Sequence, residues 1–182
     1  MNEDNMSGKE KLKSFFKEWV IPFVIEILVV LLLVKYVFFF VRVPTASMVP
    51  TIMEHSYLFA TRVHNPEKSL ERGDVVVFYS DELQEKMVKR LIGLPNENVV
   101  VNENGEVFID GEKLDEPYVK FKGFQTGEFD IPDDCYLFFG DNRGHSYDAR
   151  LWENPYISGD DIIGEIHFTI YPFNKFGMID KG

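Results

Sequence analysis

The chain has 182 residues, a formal net charge of −11, a 15% aromatic content and one cysteine. That length accommodates one modest globular domain beside a hydrophobic segment and excludes a large second domain. Residues 1–43 carry six basic and five acidic side chains, leaving thirteen basic against twenty-five acidic in residues 44–182. A downstream net charge of −12 argues against nucleic acid as the partner, because phosphate neutralisation supplies most of that affinity. A lone Cys135 permits no intrachain disulfide and reads as a small core hydrophobe.

The first element is a hydrophobic run. From Val20 to Val41 only Pro22, Glu26 and Lys35 interrupt apolar or aromatic residues, which meets the ~20 residues needed to cross a bilayer. Eighteen Leu, Ile, Val or Phe residues contribute roughly −8 kcal/mol, against about +3 for each of the two charges at mid-membrane, so insertion wins narrowly. The run exceeds the ~7–15 residues of a signal-peptide core. Lys9, Lys11, Lys13 and Lys17 precede it, whereas Arg42 is the one basic residue in the twenty that follow Val41. The positive-inside rule therefore predicts a cytoplasmic segment over 1–18, a transmembrane helix over 19–41 and an extracytoplasmic domain over 42–182. Val37 to Val43 also reads as the start of a strand.

Past Pro44 the pattern changes to short β-rich runs. Strands are predicted over Tyr57–Arg62, Asp74–Tyr79, Met87–Ile92, Val99–Asn102, Glu106–Ile109, Tyr136–Phe139 and Gly164–Tyr171, with no long amphipathic helix between them. Asn104-Gly105 and Asp110-Gly111 supply the positive-φ residues that tight hairpins need, and Asn65 to Ser69 reads as an exposed connection. The fold class is mostly β: an anchor helix followed by a β-rich domain.

Two residues carry candidate chemistry. Ser47 stands in Ser47-Met48-Val49-Pro50-Thr51, among turn-forming residues that favour exposure, and Lys89 closes a valine-rich segment. A serine hydroxyl needs a positioned base, and a desolvated lysine can serve as one. With an ordinary pKa of ~10.4, only about one lysine in a thousand is neutral near pH 7.4, so Lys89 has to be buried. A strand places Met87 and Leu91 on its side, giving it an apolar surround.

Four blocks in order resemble the bacterial type I signal peptidases, in their short single-anchor form. They are Ser47 to Thr51, Arg72-Gly73-Asp74-Val75-Val76-Val77-Phe78, Lys89-Arg90-Leu91-Ile92-Gly93-Leu94-Pro95, and Gly140 to Arg150. His145 and Ala149 depart from the family pattern, which more often has Asn and Ser there, at positions not expected to be catalytic. The resemblance implies a β-rich catalytic domain that removes signal peptides from exported preproteins after a small-x-small site. It implies Ser47 as nucleophile, Lys89 as general base, the Thr45 hydroxyl as an oxyanion donor beside the Ser47 N–H, and Ser146 as the group orienting the lysine. Asp148 and Arg150, two apart, read as a structural ion pair; Asp141, Asn142 and Arg143 shape the same loop, with Arg90 and Arg72 available to pair with its acids. Met48 and Val88 are expected to line the substrate site. The substrate would add as a strand to edges at Val41–Thr45 and Glu85–Val88.

The competing readings are weaker. No motif ties His55, His64, His145 or His167 to Ser47 as a triad. Metal-ligand spacing and phosphate-cradling glycines are absent from the sequence, so no metal or cofactor is expected. Acidic neighbours raise the Cys135 thiol pKa and disfavour a cysteine nucleophile. A membrane-tethered β module that binds secretory peptides without cutting them is the alternative from another class, as is a soluble Ser/Lys self-cleaving repressor, which would need a helix-turn-helix. The expected partners are signal peptides and the phospholipid bilayer, with no nucleic acid.

Overall fold

The computed structural model describes residues 8–182, so the first seven residues of the expected cytoplasmic segment lie outside the described residues. The N-terminal unit is helical from Gly8 to Tyr36. Helix α1 (Gly8–Phe15) passes through a wide π-type turn at Phe16–Val20 into α2 (Ile21–Tyr36). Pro22 offers no N–H to the carbonyl of Glu18, which accounts for the loosened turn just before it. No residue of α2 is buried. The 26 residues from Lys11 to Tyr36 rise about 39 Å at 1.5 Å each, enough for a hydrocarbon core of ~30 Å. The expected helix over 19–41 is corrected at its end: Tyr36 is the last helical residue, and Phe38–Arg42 is strand β1. Aromatic and β-branched residues with a neighbouring strand to pair with prefer that conformation.

The second unit, Phe39–Gly182, is almost wholly β. After β1 come β2 (Tyr57–Arg62), a one-turn helix α3 (Pro66–Ser69), β3 (Val75–Ser80), β4 (Glu85–Gly93), β5 (Asn98–Val101), β6 (Val107–Ile109), β7 (Glu112–Lys113), β8 (Gly127–Asp130), β9 (Cys135–Phe139), β10 (Tyr156–Ser158), β11 (Ile162–Tyr171) and β12 (Gly177–Met178). Among the described residues they form two sheets: β1-β2-β11-β3-β4-β9-β10, with β12 added to β11, and β7-β6-β5-β8. Four of these strands, β7, β8, β10 and β12, were not expected. Asn65–Ser69, expected as a loop, forms α3 because the Asn65 side chain accepts from the Lys68 N–H. The two expected hairpin turns do carry left-handed residues, at Gly105, Asp110 and Gly111.

Strand β3 explains why its sequence is a continuous valine run. Val76 and Phe78 face one hydrophobic cluster, with Leu91, Phe138, Phe139 and Trp152, while Val75 and Val77 face another, with Val43, Met48, Ile52, Leu58 and Ile166. A strand buried on both faces has no polar alternation to show. Lys89 lies opposite Val76 in the β3–β4 register, which puts it on the first of these faces beside Met87 and Leu91.

Candidate active site

Residues Glu85 to Arg90 of β4 pair with β3, but pairing with β9 begins only at Arg90. The β9-facing side of Glu85–Lys89 is therefore an open edge, and β1 is the terminal strand of its sheet. A cleft of about 340 Å³ is lined by both segments, Phe39–Thr45 and Glu85–Lys89, together with Ser47, Arg62, Val77 and Ile163. Ser47 and Lys89 thus line one cleft although 42 positions separate them in the sequence. Val88 lines it too. Met48 does not: it is fully buried in the smaller cluster, where it supports Val43 and Val77 beneath the cleft.

Both polar residues are sequestered, Ser47 at 7% and Lys89 at 3% exposure. The Lys89 ammonium donates to Ser146 Oγ at 3.0 Å. Burial lowers the Lys89 pKa from 10.5 to about 8, with the charge of Arg150 acting the same way and those of Asp148, Glu85 and Asp141 opposing it. At pH 7.4 the neutral fraction rises from about one in a thousand to about one in five. Ser47 Oγ lies 3.3 Å from Thr45 Oγ1, close enough for either hydroxyl to donate to the other. No histidine lines the cleft. His167 bonds Thr61, and His55 is exposed beside Glu54.

The loop Gly140–Arg150 braces serine and lysine alike. The Asn142 N–H donates to Ser47 O at 3.0 Å and its side-chain amide to Ala46 O at 3.1 Å, while Thr51 donates to Asp141. Arg90, adjacent to Lys89, grips Asp141 through Nε (2.8 Å) and Nη2 (2.7 Å), and both side chains are fully buried. Asp148 accepts from Arg150 Nε at 2.8 Å and from the Gly140 N–H at 2.8 Å, and these contacts hold its carboxyl below the ordinary range despite burial. Gly140 is required by closeness: a Cβ there would overlap Ser146 Oγ and approach Ser47 O to 2.6 Å.

Several supports were not foreseen. Arg72 does not pair with the loop acids; it forms a bidentate pair with Glu97 at 2.8 and 2.6 Å. Arg143 pairs with Glu116, and Arg90 also donates to Gly73 O and Asp180 O and stacks 3.8 Å from the Tyr118 ring. These partners lie 17 to 90 positions apart. No local pattern signals them.

The chain matches the family described as "Signal peptidase, peptidase S26" over residues 16–171. It is 32% identical to "Signal peptidase I S" of Bacillus subtilis, covering 96% of this chain and 97% of that one. It is 34% identical to "Signal peptidase I" of Leptolyngbya laminosa, over 75% of this chain and 70% of the relative. A crystal structure of a signal peptidase I from Enterococcus faecalis aligns over 54% of this chain and 97% of its own, at 27% identity and a TM-score of 0.47. With the family matched across the whole of α2 and nearly all of the β unit, the chain belongs to the signal peptidase family, peptidase S26.

Proposed function

We propose that this protein is a membrane-anchored serine endopeptidase that cleaves signal peptides from exported preproteins after a small-x-small site, using Ser47 and Lys89. One observation carries the reading: a lysine at 3% exposure, hydrogen-bonded to Ser146, lines the same cleft as a serine. A buried lysine costs stability, and placing one beside a hydroxyl nucleophile is how such a base is made.

The chemistry follows from these atoms. Neutral Lys89 Nζ takes the proton as Ser47 Oγ attacks the scissile carbonyl carbon. The resulting oxyanion is held by the Ser47 N–H and the Thr45 hydroxyl. Collapse breaks the peptide C–N bond, and the Lys89 ammonium returns its proton to the leaving amine. Lys89 then deprotonates a water that attacks the Ser47 ester carbonyl; the C–Oγ bond breaks, the Lys89 ammonium returns the proton to Ser47 Oγ, and the signal peptide leaves with its new carboxyl terminus. Ser146 positions the lysine, while Asp148, Arg150, Asp141, Asn142 and Arg90 hold the loop that bears it. The substrate segment pairs as a strand with the open edges at Val41–Thr45 and Glu85–Val88.

The N-terminus is placed in the cytoplasm and the β unit outside, from the lysines that precede the helix. In a Cys135→Ser background, a cysteine substituted for Lys11 should react with an impermeant maleimide only from the cytoplasmic side, and one substituted for Glu128 only from outside; the reverse pattern refutes the orientation. The activity test is cleavage of a detergent-solubilised preprotein by wild type, Ser47→Ala and Lys89→Ala, with N-terminal sequencing of the product. Cleavage surviving in either variant refutes the mechanism. Peptide binding without cleavage by wild type would instead leave a tethered binding module.

A further inference from the structure

The cleft that contains Ser47 and Lys89 ends in a charge. On β2, Leu58, Ala60 and Arg62 share one face; the first two are completely buried in the smaller hydrophobic cluster, so Arg62 is a cation at an inward-facing position. Its guanidinium lies 4.9 Å over the Phe39 ring. That ring fits because residue 164, opposite Arg62 in the β2–β11 register, is glycine: a Cβ there would come within 2.6 Å of the ring and overlap the Thr61 carbonyl oxygen. Three elements thus cooperate to hold one arginine in the cleft wall. Its Nε–H is buried and has no hydrogen-bond partner. A buried unpaired donor is a destabilising feature, and one that lines a cleft is satisfied when an occupant supplies an acceptor.

We infer that Arg62 is a specificity-determining residue that receives the side chain of the fifth residue before the cut and favours an acceptor there, above all a carboxylate. This assignment rests on the signal-peptide reading above. Val43, Val41 and Phe39 recede from Ser47 along the edge strand in two-residue steps of about 6.7 Å. An extended substrate advances by the same step. If its first and third side chains before the cut sit by Val43 and Val41, its fifth reaches Phe39 and Arg62. The other charged groups near that end, Arg42, Glu85 and Lys86, are exposed and screened by solvent, whereas Arg62 is partly buried. A lysine in the fifth position would meet a sheltered like charge, which rejects it as strongly as a carboxylate is attracted.

The test uses preproteins that differ only at the fifth residue before the cut, bearing Glu, Gln, Ala or Lys, and the full chain in detergent. Wild type should show kcat/KM falling in that order, with a Glu-to-Lys ratio of about tenfold or more. Arg62→Glu should invert the ratio, Arg62→Gln should flatten it and Arg62→Lys should preserve its direction. Thermal unfolding of each variant in the same detergent identifies any that does not fold; the Gln and Lys variants then carry the comparison. Equal ratios in wild type and Arg62→Gln, with normal cleavage, overturn the assignment alone. Failure of wild type to cut any of the four overturns the peptidase reading, and cleavage retained by Ser47→Ala overturns the Ser47 mechanism; this assignment falls with either.

Discussion

Acidifying a cleavage assay should silence this enzyme along a curve drawn by Lys89. With its pKa at about 8, the neutral amine makes up about 1% of the enzyme at pH 6, about 9% at pH 7, half at pH 8 and about 90% at pH 9. If that amine is the base, kcat/KM rises about tenfold from pH 6 to 7, about fivefold from 7 to 8 and less than twofold from 8 to 9. A solvated lysine would still climb about tenfold per unit at pH 9, and a histidine base would level off near pH 7.5. The assay is the initial rate of preprotein cleavage, at substrate well below KM and constant ionic strength, with circular dichroism at each pH to show that the chain stays folded. A rate flat from pH 6 to 9, a plateau below pH 7.5, or a slope of one persisting through pH 9.5 would refute the argument that burial sets this base.

Three further outcomes follow from the geometry. Lys89→Met should be inactive yet more stable: burial lowers the lysine pKa from 10.5 to about 8, a penalty on the charged form of about 3 kcal/mol. Because the folded pKa lies below the unfolded one, that penalty is complete below pH 8, shrinks between 8 and 10.5 and vanishes above, so urea unfolding should show a wild-type deficit that closes at alkaline pH. A pH-independent deficit contradicts it. Asp141→Ala leaves Arg90 buried without its carboxylate and should cost about 3–5 kcal/mol in the same unfolding experiment; a loss under 1 kcal/mol would mean that solvent already reaches the pair. Gly140→Ala drives a methyl group into Ser146 Oγ and towards Ser47 O, and should lower kcat at least tenfold with little change in KM. An unchanged kcat would show that Ser146 does not position Lys89.

Which elements could be read in advance follows from how local their causes are. Tyr57–Arg62 alternates, Val75–Phe78 is a β-branched run, and Asn104-Gly105 and Asp110-Gly111 supply their own backbone conformations, so strands and turns there need no distant partner to be recognised. Strands β7, β8, β10 and β12 have two to four residues each and exist because β6, β5, β9 and β11 offer them hydrogen bonds. The same distinction divides the ion pairs. Asp148 and Arg150 sit two apart and were legible; Arg72–Glu97 and Arg143–Glu116 bridge 25 and 27 positions and were not. Met48, next to Ser47, read as a cleft residue until packing placed it underneath.

The sequence by itself determined the apolar anchor, the β class of the domain and the candidacy of Ser47 and Lys89, because hydropathy, periodicity and motif order are properties of neighbouring residues. Tertiary structure decided whether that candidacy has chemical force. Desolvation of Lys89 is a sum over surfaces contributed by β4, the Gly140–Arg150 loop and the clusters beneath them, and the placement of Arg62, with its Nε–H unpartnered, depends on a ring from β1 and a missing side chain in β11. A dielectric environment is set by everything within several ångströms in space, and a linear stretch of chain contains only part of what surrounds it.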